Sequence, residues 1–165
     1  ILPETIKWCV KHKLPLVSGV TGISEAHKKQ LKAAAKKIPV LWAPNMSVGV
    51  AMVKKLLQEM YIPETFDVHL LEYHHRYKKD APSGTAKDLE EVLKKRTKKY
   101  AGTSAIRGGG IFGVHRIDLM ADSEVISIQH QALDRHVFAK GAVTASVWLS
   151  SRKPGLYSMQ DVLDA

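Results

Sequence analysis

Apolar positions along this chain switch repeatedly between a helical and an extended rhythm. Ile6, Cys9 and Val10 fall on one face of residues 4–12, which predicts a helix. Leu14 to Val20 then reads as a short apolar strand that ends in the turn Gly19-Val20-Thr21-Gly22. Ser24 caps a second predicted helix over 24–37, with Ala26, Leu31, Ala34, Ala35 and Ile38 as its stripe. Pro39 to Ala43 is another short buried strand, closed by Pro44-Asn45, and Val48, Met52, Leu56 and Met60 mark a third helix from Ser47. Helices and strands alternating through short turns are the grammar of a parallel, doubly wound sheet. Ligands in such sheets lie beyond the carboxyl ends of the strands, where the 19–22 and 43–45 turns would fall. Read alone, these turns serve equally well as plain connections.

The rhythm changes further on. Phe66 to Glu72 predicts a strand, and Ala86, Leu89, Val92, Leu93 and Arg96 predict a helix over 86–100. Strands are expected over 113–121 and 124–132, joined by Asp122-Ser123; in the second, Ile126 and Ile128 alternate with Ser127 and Gln129, as in a half-buried antiparallel strand. Residues 99–106 read as a link. Phe138, Ala142, Ala145, Trp148 and Leu149 repeat at helical spacing, so 136–151 is expected to be helical, with Asp134 as cap and Arg152 to Gly155 as stop. A short final helix is expected near 158–163. The fold class is α/β: part of a Rossmann-type parallel sheet, plus an α+β domain with a mixed or antiparallel sheet.

Composition narrows the function classes. With 165 residues, 45% of them hydrophobic, the chain suffices for one domain or two small ones. One cysteine, Cys9, excludes an internal disulfide and fits a reducing compartment. No apolar run reaches the length that spans a bilayer and nothing resembles a signal peptide, so a cytoplasmic location without membrane contact is expected. The net charge of +9 is compatible with nucleic-acid binding. Most lysines, however, lie on the solvent faces of the 24–37 and 86–100 helices, and no zinc-finger, RNP or homeodomain pattern is present. No nucleic-acid partner is expected; the surplus suits an anionic cofactor and substrate.

The chemistry concentrates in Glu72-Tyr73-His74-His75-Arg76-Tyr77-Lys78-Lys79-Asp80-Ala81-Pro82-Ser83-Gly84-Thr85-Ala86. Two histidines and a lysine precede Pro-Ser-Gly-Thr at a helix start, where Ser83 or Thr85 caps and free backbone N–H groups make an anion site. A histidine acid and a lysine beside such a site point to protonation chemistry on a carboxylate-bearing small molecule. Adjacent histidines on a strand face opposite ways, so no metal is expected. Ser83 lies outside any Gly-x-Ser-x-Gly elbow, which excludes a serine hydrolase of that type. Taken from the residues alone, the balance for His74 lies slightly toward a strand-end histidine hydrogen-bonded to a neighbour.

The string Glu-x-His-His-Arg-x-Lys-x-Asp-x-Pro-Ser-Gly-Thr-Ala resembles the signature of the dihydrodipicolinate reductase (4-hydroxy-tetrahydrodipicolinate reductase) family of lysine and diaminopimelate biosynthesis. The resemblance implies an NADPH- or NADH-dependent reduction of a cyclic imine dicarboxylate. It implies His74 as proton donor and Lys78 as its helper, with His75, Ser83, Gly84, Thr85 and, from the cofactor side, Thr21 on the substrate. The family's Gly-Thr-Thr-Gly and Ala-x-Asn-x-Ser loops match at Gly19, Thr21 and Gly22 and at Ala43, Asn45 and Ser47. That implies cofactor contacts from Gly19, Val20, Thr21, Ala43, Pro44, Asn45 and Met46. Val20 departs from the family's threonine, so a contact there survives only if the backbone makes it. Arg135 lies in a family-like Arg-x-x-Phe-Ala string. Arg76 and Asp80 are expected to be scaffolding, paired to each other.

The resemblance also implies domain limits: 1–45 as the end of a dinucleotide-binding domain, 46–135 for substrate and oligomerisation, and 136–165 as a helical tail returning to the first part. The family's phosphate-binding turn lies in an N-terminal segment outside these residues, so an inactive fragment is expected. The run Arg107 to Gly113 is set aside as a phosphate loop because no strand is expected before it and no helix after it. Family members are homotetramers, and a homotetramer is expected here. Competing readings are an assembly module without activity, and another two-domain amino-acid or imine dehydrogenase, which would lack the His-His-Arg-x-Lys string.

Overall fold

A computed structural model describes residues 1–164, which form two compact units. Unit 1 comprises Ile1–Ala51 and the described residues from His136 onward, and unit 2 comprises Met52–Arg135. No described helix is long and apolar enough to cross a membrane.

Unit 1 carries α1 (Leu2–His12), β1 (Leu16–Ser18), α2 (Glu25–Ala35), β2 (Pro39–Trp42), the start of α3 (Val48–Glu59), α5 (His136–Leu149), β7 (Gly155–Tyr157) and α6 (Met159–Leu163). Its sheet is three-stranded and wholly parallel, in the order β1-β2-β7. Ser24 caps α2 as expected, its hydroxyl accepting from the His27 N–H. One layer packs Ile6, Cys9, Leu31, Ala34 and Ile38 against Leu16 and Val40; the other sets Leu41, Ala43 and Met46 against Ala145, Leu149 and Met159. The Gly155–Tyr157 stretch, of which Gly155 was expected to end the stop after α5, is a strand, because its residues find partners on β2.

Gly141 of α5 fixes where the turn after β2 can lie. A Cβ built there would stand 1.8 Å from the Met46 carbonyl oxygen, so only a glycine admits this approach. Gly141→Ala is expected to cost about 2 kcal/mol or more, since the clash is with backbone and the helix must retreat. Urea unfolding measures this, and an unchanged midpoint would contradict it.

Unit 2 carries the rest of α3, β3 (Asp67–His74), α4 (Gly84–Arg96), β4 (Tyr100–Arg107), β5 (Val114–Met120) and β6 (Val125–Gln131). Its sheet runs β4-β3-β5-β6, with β3 and β4 parallel and the other pairs antiparallel. Two expectations change here. The helix ends at Arg96 rather than 100, and the supposed link 99–106 is a strand. Its sequence, Tyr-Ala-Gly-Thr-Ser-Ala-Ile-Arg, has no clean alternation because much of it stays exposed at the sheet edge. On the covered face Val68 and Leu70 pack with Ile117 and Leu119 beneath Ala86, Leu89, Val92 and Leu93 of α4.

Since β4 and β5 flank β3 on opposite sides, the Gly108–Gly113 connection crosses the carboxyl end of β3. It does so through backbone bonds from the Gly108 N–H to the His74 carbonyl and from the Arg76 N–H to the Gly109 carbonyl. The glycine run therefore does follow a strand, contrary to expectation. It opens into another strand rather than a helix, so it lacks the helix N-terminus of a phosphate loop.

Candidate active site

The burial rhythm of β3 places Val68, Leu70, Glu72 and His74 on the covered face. The stripe thus begins apolar and ends in a carboxylate and an imidazole beside the start of α4. Glu72 is fully buried, and four donors surround it. Arg107 grips it with both terminal nitrogens, Nη2 at 2.7 Å from Oε1 and Nη1 at 2.9 Å from Oε2. The Ser83 N–H donates to Oε1 at 3.1 Å, and His74 Nδ1 is hydrogen-bonded to Oε2. Burial pushes the Glu72 carboxyl up, but the bonds from Arg107, His74 and Ser83 outweigh it and hold the group below the ordinary range.

His74 responds in the opposite sense. Burial lowers its pKa below the ordinary value; the bond and charge of Glu72 work against this, and Lys78 and Arg107 add to the lowering. The His115 ring stands edge-on to it, with centroids 5.3 Å apart. His115 is itself buried and is driven down to about 4, first by burial and then by the charge of His74, so it stays neutral near pH 7. The Ser83 hydroxyl accepts from the Ala86 N–H, capping α4, and lies 3.2 Å from His115 Nε2.

Lys78 follows through a tight turn, its N–H bonded to the His75 carbonyl, and its ammonium pairs with Asp80 at 2.8 Å. Asp80 therefore pairs with Lys78, not with Arg76 as expected; Arg76 is exposed and held through its backbone. The Asp80 carbonyl accepts from Arg107 Nη2 at 2.6 Å, which ties this loop back to Glu72.

Two family models divide the chain between them: "Dihydrodipicolinate reductase, C-terminus" matches residues 49–163 and "Dihydrodipicolinate reductase, N-terminus" matches 1–46. The chain is 50% identical to the 4-hydroxy-tetrahydrodipicolinate reductase of Bdellovibrio bacteriovorus, over 98% of this chain and 71% of that protein. The chain belongs to the dihydrodipicolinate reductase family. The namesake enzyme of Rickettsia rickettsii is 40% identical over 98% of this chain and 74% of its own length. Among solved structures, dipicolinate-bound dihydrodipicolinate reductase from Paenisporosarcina sp. TG-14 shares the fold at a TM-score of 0.79 and 20% identity, covering 95% of this chain and 67% of that one.

Reductases of this family use NADH or NADPH, and the part matched by the N-terminal model is their dinucleotide-binding domain. The turns of unit 1 fit such a ligand in kind. Gly19, Val20, Thr21 and Gly22 are exposed after β1, and Gly22 sits at φ 64°. The turn is fastened by a bond from Trp42 Nε1 to the Val20 carbonyl, and Asn45 Oδ1 accepts from the Ser47 N–H. A side chain on Gly19 would come within 3.5 Å of Met46, so Met46 underpins one turn while belonging to the other. Of the residues expected at the cofactor, Ala43 and Met46 are buried, Asn45 is half-buried, and Pro44 is exposed.

In unit 2 the structure brings His74 and Ser83 onto Glu72, pairs Lys78 with Asp80, and leaves Gly84 exposed and Thr85 and His75 half-buried. Arg135 is exposed just before α5. Sequence reasoning gave no role to Glu72, Arg107 or His115. Parity would have found the first: Glu72 shares the inward face with His74 and Leu70. Arg107 needed β4 recognised as a strand, since only the parallel register sets it beside His74.

Proposed function

We propose that the chain carries the substrate site for reduction of 4-hydroxy-tetrahydrodipicolinate, a cyclic imine dicarboxylate, to tetrahydrodipicolinate in diaminopimelate and lysine biosynthesis. The observation that supports this best is the buried Glu72–His74 pair, with Lys78 coming off the same strand end beside an open helix start. Bound NADH or NADPH supplies the hydride. Its turns are assigned to Gly19, Val20, Thr21, Ala43, Pro44, Asn45 and Met46. His74 gives a proton to the ring position that gains negative charge, and the Lys78 ammonium stabilises that charge. His75 and the amide end of α4 at Gly84 and Thr85 hold a ring carboxylate. The Ser83 hydroxyl and N–H are both turned inward, onto the cap, His115 and Glu72, so Ser83 serves the site by shaping it.

A free histidine with a lowered pKa is largely neutral near pH 7. An anionic substrate raises it by charge attraction, so the proton is taken up as the ligand binds. The single buried cysteine is consistent with a cytoplasmic enzyme. A homotetramer is proposed because, among the described residues, edge strand β6 of the unit 2 sheet keeps apolar side chains exposed. Edge strand β6 leaves Val125 57% and Ile126 48% exposed. Among the described residues no Gly-x-Gly-x-x-Gly run joins a strand to a helix, so on their own they are proposed to bind NAD(P)H weakly and turn over slowly.

One comparison tests the set: the 165-residue polypeptide and the full-length protein, assayed with both cofactors and sized by sedimentation velocity. The expected result is reductase activity and a tetramer for the full-length protein, and little turnover for the polypeptide. A full-length protein inert toward this substrate would overturn the assignment, and a full-length monomer would overturn the assembly.

A further inference from the structure

We propose that Glu72 is the positioning residue of this site: its carboxylate, clamped by Arg107 and the Ser83 N–H, holds the Nδ1 proton of His74 and commits Nε2 as the nitrogen that works on the ligand. The inference rests on the reading of His74 as proton donor and adds how that donor is set. Glu72 is fully buried, and a buried carboxylate is costly unless its oxygens are fully bonded. Here both oxygens are bonded: Oε1 receives Arg107 Nη2 and Ser83 N, and Oε2 receives Arg107 Nη1 and meets His74 Nδ1. A carboxylate with that many donors stays ionised, accepts only, and leaves His74 one option: Nδ1 carries the hydrogen.

Nε2 is then bare in the neutral ring and is the position that loads and releases the transferable proton. The surroundings keep it open. A Cβ on Gly113 would stand 3.1 Å from Nε2, so glycine at 113 leaves the space beside that nitrogen clear. The groups facing the ring are Glu72 on β3, Arg107 on β4, His115 on β5, and Lys78 in the loop after β3. Of these only Glu72 favours the imidazolium; Lys78 and Arg107 oppose it, and the neutral His115 ring supplies a wall. Without Glu72 the ring could turn, change tautomer, or lose its proton too readily.

The test begins with the unaltered full-length reductase. Histidine 15N spectra above the pKa of His74 should show its Nδ1–H tautomer, whereas free imidazole side chains favour Nε2–H. An Nε2–H tautomer at His74 would overturn the proposal without reference to activity or to any variant. Kinetics supply the second arm. Glu72→Gln should lower kcat at least tenfold with KM within threefold, and shift the high-pH limb of kcat to lower pH because the imidazolium has lost its counter-charge. Glu72→Asp, which keeps the charge, should recover part of kcat and hold the limb near its original position. An unshifted limb in Glu72→Gln, or equal behaviour of the Gln and Asp variants, would overturn the proposal. If His74→Gln itself leaves turnover intact, the parent reading of His74 fails instead, and the two failures are distinct.

Discussion

His74→Gln in the full-length reductase is expected to lower turnover by about 10²- to 10⁴-fold, the range over which a positioned acid contributes. Glutamine keeps the length of the side chain and a hydrogen bond to Glu72, so packing under α4 is retained. What it lacks is a proton to give. Lys78→Ala is expected to cost about 10²-fold, since it removes the nearby positive charge that meets the developing negative charge. Both substitutions lie in unit 2, while the residues assigned to the nicotinamide cofactor lie in unit 1, so NAD(P)H affinity should move by no more than about threefold. Single-turnover rates and cofactor titration separate the two quantities. Near-normal turnover in both variants would remove the assigned roles. A parallel loss of cofactor affinity would mean a misfolded protein rather than a missing proton.

The second large effect is on stability and comes from His115. Its folded pKa is about 4 against 6.5 for an ordinary histidine, because it is buried and stands against His74. With the folded value depressed, the contribution is fully present above pH 6.5. It is lost as pH falls, because the unfolded chain takes up a proton that the folded one refuses. The loss reaches about 3 kcal/mol by pH 4. His115→Gln does not titrate, and its amide oxygen can still accept from the Ser83 hydroxyl. The variant should be less stable at pH 7, where the native ring packs against His74, yet should lose less than wild type between pH 7 and pH 4. Denaturant unfolding at the two pH values gives the difference directly. Equal acid losses in the two proteins would show that His115 is not kept neutral by the fold.

Much of the architecture was legible because local rules and global packing agree. Helical stripes such as Leu31-Ala34-Ala35 and Leu89-Val92-Leu93 are buried, as their spacing demands. Ser24 and Ser83 cap the helices they precede. The long motif from Glu72 to Ala86 announced the family unaided. The strands that escaped notice share one property: each owes its conformation to a partner. Tyr100–Arg107 has no buried residue, and Gly155–Tyr157 is short, so neither carries a buried stripe of its own.

The chain's own order of residues determined the alternation of elements, the helix caps, and the clustering of His74, Lys78 and Ser83 within one loop's reach. It did so because those features depend on neighbours a few positions away. Only tertiary structure decided what His74 touches. Arg107 and His115 reach it through lateral strand pairing, from 33 and 41 positions downstream along the chain. A hydrogen-bonded register between strands is set by the whole sheet and the helix covering it, and that is why the carboxylate, the guanidinium and the second imidazole around the acid came into view together.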